Sequence, residues 1–383
     1  MKKVAIITSH PIQYQIPLFR ELKNNKIDTN IFFASRHGLK SLKKDHEFNV
    51  KFNWDIGSNM LEGYKSFFPK KQKFDIDKFR LSFDGISDYL REGRFDGIII
   101  LGWSNLHYLK AFWYAKKYKI KVILRVETNL ETKIYFLKKY IKFFILKFFF
   151  NHVDFFLSIG KLNKNFYLHH GVSKKKIFNA PYFVDNQFFN KKKNLSLKNK
   201  PEFRNKSLIL FVGKLIERKR PLDFLKLAEF SALNKTLHFI MVGDGYLKKE
   251  CLDFIKKKKL KNITLLGFLN QKQLSEYYNI VDLLIMTSDY ETWGLSINEA
   301  MAANVPVICS NKCGAHHDMI KKYKTGFIYN CGEILDLHRK MNLILNNRKL
   351  LNLIKDNIKK TISKFTVQKT VEAIKIILND KKI

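Results

Sequence analysis

The stretch from Asp289 to Asn311, DYETWGLSINEAMAANVPVICSN, most constrains what this chain can fold into. The run VDLLIMT (281–287) before it is apolar and of strand length, and VPVICS (305–310) near its end is a second such run. Between them, 288–293 reads as a loop and 294–304 as a helix. Strand, loop, helix and strand make a βαβ unit, which calls for a parallel sheet and gathers ligands at the carboxyl ends of the strands. Glu291 and Glu299 bracket the turn with seven residues between them. Gly294 falls where the helix opens and backbone amides are unpaired, so Gly294, Leu295 and Ser296 form a place for an anion such as a diphosphate. The two carboxylates then serve as acceptors for sugar hydroxyls, one for a ribose and one for a second sugar. Spacing alone equally allows two solvated glutamates on an ordinary helix.

The same alternation runs through the whole chain. In the first half, strands are expected at 2–8, 29–35, 95–103, 121–127, 153–160 and 176–185, with helices between most of them and an irregular aromatic loop over 54–68. Residues 190–206 carry seven lysines and arginines with almost no apolar periodicity, which reads as a linker. Strands then resume at 207–214, 237–245 and 263–268 before the opening unit. The expectation is α/β architecture: two halves, each a parallel sheet covered on both faces, with a ligand cleft between them.

At 383 residues the chain has room for two full cores. Four cysteines without a paired framework suggest a reducing compartment, and Cys309 and Cys313 lack the second pair that a metal site needs. MKKVAIITSH turns polar too soon for a signal peptide and reads as a first strand. No window of roughly eighteen residues is apolar and free of charge, so a spanning helix is not expected. The net charge of +37 suits phosphate-bearing partners, but the lysines are scattered through the chain, as a general compositional bias would leave them.

The second half carries the chemistry. In FVGKLIERKRP a strand ends at Gly213, and Lys214 and Lys219 lie five apart across a short loop, placed to neutralise a leaving diphosphate. MVGDGYLKKE is a strand–Gly–Asp–Gly–helix turn, and Leu269 sits on the loop after the strand of LLGFLN.

Together, FVGKLIERKR, FIMVGDG, ITLLGFLNQKQLSEYYNIVDLLIMTS and ETWGLSINEAMAANVPVI resemble the donor-binding half of the retaining glycosyltransferases of family 4, group 1 glycosyltransferases with the GT-B fold. The resemblance covers 207–335 well; SHPIQYQIPLFREL, the loop 54–64 and NAPYFVDNQFF match a subgroup less diagnostically. It implies two Rossmann-like domains: an acceptor-side domain at 1–190, a linker at 191–206 and a donor-binding domain at 207–365. A helix within 366–383 crosses back to the first domain. Carried over residue by residue, Lys214 (where the family usually has arginine) and Lys219 bind the diphosphate. Glu291 accepts from the donor sugar and Glu299 from the ribose. The amides of Gly294 and Leu295 meet phosphate, and the backbone near Leu269 meets the base. Lysine in place of arginine forgoes the bidentate fork.

Two departures stand in the first half. His10-Pro11-Ile12-Gln13 replaces the paired glycines of many members, and Arg125-Val126-Glu127 stands where many have a histidine. Both stretches face the reacting centre in the family, which makes His10 and Glu127 catalytic candidates. Arg125 and Glu127 are two apart on a strand and so share a face, which also allows a plain ion pair.

The resemblance implies a UDP- or GDP-sugar donor, a glycan or lipid-linked acceptor, no cofactor and no metal. Asp75-Ile76-Asp77, the only Asp-x-Asp, sits between lysines rather than at a strand end. IYFLKKYIKFFILKFFF (134–150) mixes four lysines with aromatic residues, and reads either as a helix on an anionic membrane surface or as one half-buried against the sheet. The expected location is cytoplasmic, with a peripheral position on the inner face of the cell membrane. A sugar-nucleotide epimerase of the same fold and a basic nucleic-acid-binding protein are the alternatives. The lack of a basic helix or an aromatic stacking motif counts against nucleic acid.

Overall fold

Parallel strands buried on both faces need long apolar runs, and such runs build both sheets. The computed structural model describes residues 1–37, 39, 60–70, 82–131, 136–190 and 194–380. Asp75-Ile76-Asp77 and most of the 54–64 loop lie outside the described residues.

The chain divides into two units. The first takes its described residues from the chain up to Tyr182 and from Val367 onward, and the second spans Phe183–Thr366. In the first unit the strands are β1 (Lys3–Thr8), β2 (Asp28–Phe33), β3 (Lys65–Phe67), β4 (Gly97–Ile100), β5 (Lys121–Leu124), β6 (Phe155–Ser158) and β7 (Ile177–Asn179). They form one parallel sheet in the order β3-β2-β1-β4-β5-β6-β7. Helices α1 (Ile16–Asn24), α2 (Ile86–Glu92), α3 (Leu106–Lys117), α4 (Phe136–Asn151) and α5 (Lys161–His169) lie between them in the chain. Val4 to Ile7 of the interior strand β1 are fully buried.

The second unit opens with two short helices, α6 (Asn186–Phe189) and α7 (Leu195–Lys198). Its strands β8 (Ser207–Val212), β9 (Leu237–Val242), β10 (Ile263–Gly267), β11 (Leu283–Met286), β12 (Val307–Ser310) and β13 (Gly326–Tyr329) form a second parallel sheet, ordered β10-β9-β8-β11-β12-β13. The helices α8 (Pro221–Phe230), α9 (Lys248–Lys257), α10 (Gln271–Tyr278), α11 (Leu295–Ala302), α12 (Ile334–Leu345) and α13 (Arg348–Ile362) complete it.

In each sheet the strand order reverses once, between β1 and β4 and between β8 and β11. The carboxyl ends of the strands at such a switch point leave a crevice for ligands. His10 follows β1, Gly213 and Lys214 follow β8, and Glu291 follows β11.

The last helix, α14 (Val367–Asn379), belongs to the first unit. Ile374 and Ile377 are fully buried, and Lys121 Nζ donates to the carbonyls of Ile377 (2.9 Å) and Asp380 (2.7 Å). Both carbonyls lie at the helix end, where the regular ladder stops and Ile377 O accepts the tighter backbone bond from Asp380 N (3.3 Å).

Three local expectations are corrected. Lys65–Phe67 is an edge strand rather than loop, held by Phe67 stacking on Phe32 at 4.9 Å. The strand expected over 121–127 ends at Leu124, and the chain continues irregularly. The basic stretch read as a linker is anchored where it is described: Leu197 and Phe203 are buried, and Phe203 meets the rings of His238 and Tyr277. Two apolar anchors among many lysines are enough to dock a segment whose periodicity is too sparse to see.

Candidate active site

In the second unit the β8 and β9 loops interlock through glycine. Gly213 N donates to Val242 O (3.0 Å) and Leu215 N to Asp244 O (2.9 Å). A Cβ on Gly243, at φ +150°, would lie 1.8 Å from Gly213 O, and one on Gly245 would lie 2.5 Å from Leu215 O. The Gly-Asp-Gly turn therefore fixes the loop that carries Lys214 and Lys219 as well as turning the chain.

Glu291 meets two cations. Lys219 donates to its Oε2, and Arg218 Nη1 reaches the same oxygen at 3.0 Å. The side chains of Lys219 and Glu291 are only 14% and 15% exposed, so solvent screens the pair less than it would at the surface. The loops beneath are stitched together. Thr287 Oγ1 donates to Lys219 O (2.7 Å), Asp289 N to Arg218 O (2.9 Å) and Arg218 Nη1 to Tyr290 O (3.0 Å). The backbone of Glu291 pairs with its other neighbour as well, donating to Lys312 O (3.1 Å) and accepting from Gly314 N (2.9 Å).

Gly294 caps α11 with φ 105°, a left-handed conformation that favours glycine. Met286 Sδ would stand 3.0 Å from a Cβ there. Leu295 and Ser296 open the helix, where amides lack internal acceptors. One turn further, Glu299 Oε2 accepts from Tyr278 Oη at 2.9 Å. Burial pushes the Glu299 carboxyl up to about 7, with the Tyr278 bond acting the other way. Leu269 lies on the loop after β10, half-buried, just ahead of Asn270, which caps α10.

A separate cluster sits in the first unit. Tyr14 Oη donates to Glu127 Oε1 at 3.1 Å. Arg125 is buried with its guanidinium 5.4 Å from the Tyr182 ring, and its Nη1 has no hydrogen-bond partner among the described residues. Burial lowers the Arg125 pKa while the charge of Glu127 raises it. Tyr167 Oη accepts from Val126 N (3.1 Å), which holds the segment between Arg125 and Glu127. His10 pairs Nδ1 with Ser9 Oγ (2.9 Å) and meets His37 edge-on at 5.3 Å. Burial, then the neighbouring His37, lowers its pKa to about 4, so its ring is neutral at neutral pH.

Within the second unit the structure thus brings Lys219 to Glu291 and sets both near the opening of α11. Sequence reasoning missed Arg218, Tyr278 and Tyr14. Arg218 stood in the basic run ERKR and Tyr14 in the first loop, but nothing in their spacing marked them as partners of a carboxylate.

Residues 192–361 match the family model of glycosyl transferases group 1. The matched stretch lies within the second unit and is what the chain shares with that family. The chain is 30% identical over 193 residues to the alpha-monoglucosyldiacylglycerol synthase of Acholeplasma laidlawii, covering 49% of its own length and 48% of the relative's. It is 25% identical over 213 residues, 55% of each chain, to a Campylobacter jejuni GalNAc-alpha-(1->4)-GalNAc-alpha-(1->3)-diNAcBac-PP-undecaprenol alpha-1,4-N-acetyl-D-galactosaminyltransferase. The chain thus spans about half the length of these curated relatives. Among solved structures, Anabaena Alr3699/HepE in complex with UDP superposes with a TM-score of 0.75 over 99% of both chains at 14% identity. A glycosyltransferase from Rickettsia africae gives 0.74 over 99% of both at 17%. The chain has the GT-B fold expected from its sequence.

Proposed function

We propose that this protein is a retaining group 1 glycosyltransferase that moves a sugar from a UDP- or GDP-sugar to a glycan or lipid-linked precursor of the cell surface. The observation that carries the reading is the Lys219–Glu291 pair, set at the β8/β11 switch point beside the opening of α11. Two further points support it. Alr3699/HepE was solved with UDP, and the two relatives above are named for a glucosyldiacylglycerol and an undecaprenol-linked glycan.

In this reading the donor diphosphate lies against the amides of Gly294, Leu295 and Ser296, with Lys214 and Lys219 supplying the positive charge. Glu299 accepts from the ribose hydroxyls, Glu291 from the sugar, and the backbone at Leu269 meets the base. As the bond from the anomeric carbon to the phosphate oxygen breaks, its electron pair leaves with the phosphate and positive charge builds on the carbon. The acceptor oxygen bonds to the same face, and its proton passes to the departing phosphate oxygen. Glu127 stabilises the developing charge or orients the acceptor, and the neutral His10 is a second group for that task. The lysines take the place of a metal, so activity survives EDTA. Among the described residues no helix is long and apolar enough to cross a membrane. The proposed location is cytoplasmic, peripheral on the inner face of the cell membrane.

Thermal unfolding with UDP, GDP and their sugar conjugates tests the donor class. A nucleotide at ~100 times its Kd stabilises by about 2.7 kcal/mol. NMR of the sugar first released from an α-linked donor tests retention. No stabilisation by either nucleotide, or a β-anomer as first product, overturns the corresponding part.

A further inference from the structure

Helix α4 is apolar on two sides. Its inner side is used: Leu146 and Phe150 are buried, and Phe149 meets Phe112 of α3 at 4.5 Å. Its outer side carries Tyr140, Ile141, Phe144, Ile145 and Phe148, each 53% to 64% exposed. Ile141, Phe144, Ile145 and Phe148 follow three- and four-residue spacing, so they form one continuous stripe. Trp113 on α3 extends it: 52% exposed, its ring meets His152, which in turn packs on Phe148. Single exposed hydrophobic residues need no explanation, but a contiguous set of this size marks an interaction surface.

Charge identifies the occupant. Helix α4 has four lysines and no acidic residue. Lys147 on it, and Lys110 and Lys117 on α3, are exposed. Asp154, the acid closest in sequence beyond α4, is already paired with Lys116. A second copy of the chain would bring another +37 against this face, and like charges facing each other oppose association. An anionic bilayer offers the reverse: headgroups for the lysines and an acyl boundary for the phenylalanines. We propose that α4, with Trp113, docks this protein on an anionic lipid surface by inserting Phe144 and Phe148 into the interfacial layer while the lysines meet lipid phosphates.

The inference rests on the exposed stripe and not on the transferase reading, and one experiment separates the two. Full-length protein is sedimented with phosphatidylcholine vesicles containing about one-third phosphatidylglycerol, and with pure phosphatidylcholine vesicles. Wild type partitions at least tenfold more strongly to the anionic vesicles, and raised salt weakens this. The double variant Phe144→Ser, Phe148→Ser loses at least tenfold of the anionic binding; both side chains are exposed, so the fold has little to lose. Thermal stabilisation by UDP or GDP, if present in wild type, is unchanged in the variant. Absence of nucleotide stabilisation in both proteins counts against the donor reading alone. Equal vesicle binding by wild type and variant overturns the docking surface. So does a variant that turns a dimer into a monomer by light scattering while its vesicle binding stays the same.

Discussion

Lys219 and Arg218 donate to the same oxygen of Glu291, so one carboxylate oxygen holds two adjacent cations. In the proposed mechanism only one can be released without leaving the carboxylate uncompensated. Arg218 is also tied to Tyr290 O, whereas Lys219 is the group that the proposed mechanism assigns to the diphosphate. Donor binding is therefore expected to draw Lys219 from Glu291 to the diphosphate while Arg218 keeps the carboxylate ionised and oriented.

Glu291→Ala should lower turnover about a hundredfold, the scale of one positioned charge-bearing group, while free nucleotide binds within a few-fold of wild type. Lys219→Ala should instead weaken free nucleotide about tenfold or more. Steady-state kinetics and calorimetric titration separate the two, and equal losses of nucleotide affinity in both variants would place Glu291 on the phosphate side.

Glu299 ties pH to both stability and binding. Its carboxyl is raised from about 4.5 to about 7 by burial, so the folded protein holds a proton that the unfolded chain releases. Stability from this group is full below about pH 4.5 and falls as pH rises towards 7, where the unfolded state ionises first. The melting temperature of Glu299→Gln should lack that fall. Nucleotide affinity should rise through pH 7 in wild type, because the carboxylate is the better acceptor for ribose hydroxyls. Tyr278→Phe removes the bond that holds the pKa down, and should move this rise to higher pH.

Glu127→Gln should keep the fold and donor affinity but lose about a hundredfold in turnover, since the amide can still accept from Tyr14 yet carries no charge. Tyr14→Phe should cost less, about tenfold, because it orients the carboxylate without replacing it. A folded Glu127→Gln enzyme with near-normal turnover would reduce Glu127 to a structural partner of buried Arg125.

Gly243→Ala tests the interlocked loops. The added methyl meets Gly213 O at 1.8 Å on a backbone that disfavours any side chain, so stability should fall by about 3 kcal/mol or more. Denaturant unfolding measures this, and a wild-type midpoint would show that the β8 loop can retreat.

Residues such as Val4–Ile7 and Leu283–Met286 were legible because a buried parallel strand must be apolar throughout. The glycine turns and Glu291…Glu299 were legible because their geometry is local. Lys65–Phe67 was not: three residues at a sheet edge, one of them lysine, carry no period. Nor was Arg218 as a partner of Glu291, since 72 residues separate them and only the crossover from β8 to β11 brings them together. The α4 region allowed two readings in sequence; in the structure one side is buried and the other exposed.

The docking of α14 in the first unit has a consequence for synthesis. Lys121 donates to carbonyls more than 250 positions later, and Gly97 lies under Leu378, whose Cδ2 would be 3.0 Å from a Cβ there. Most of the first unit is thus synthesised before the second yet is completed only after it. Until residue 380 emerges, the nascent first unit presents the bare apolar face that Ile374 and Ile377 later cover, and chaperones have that interval in which to hold it.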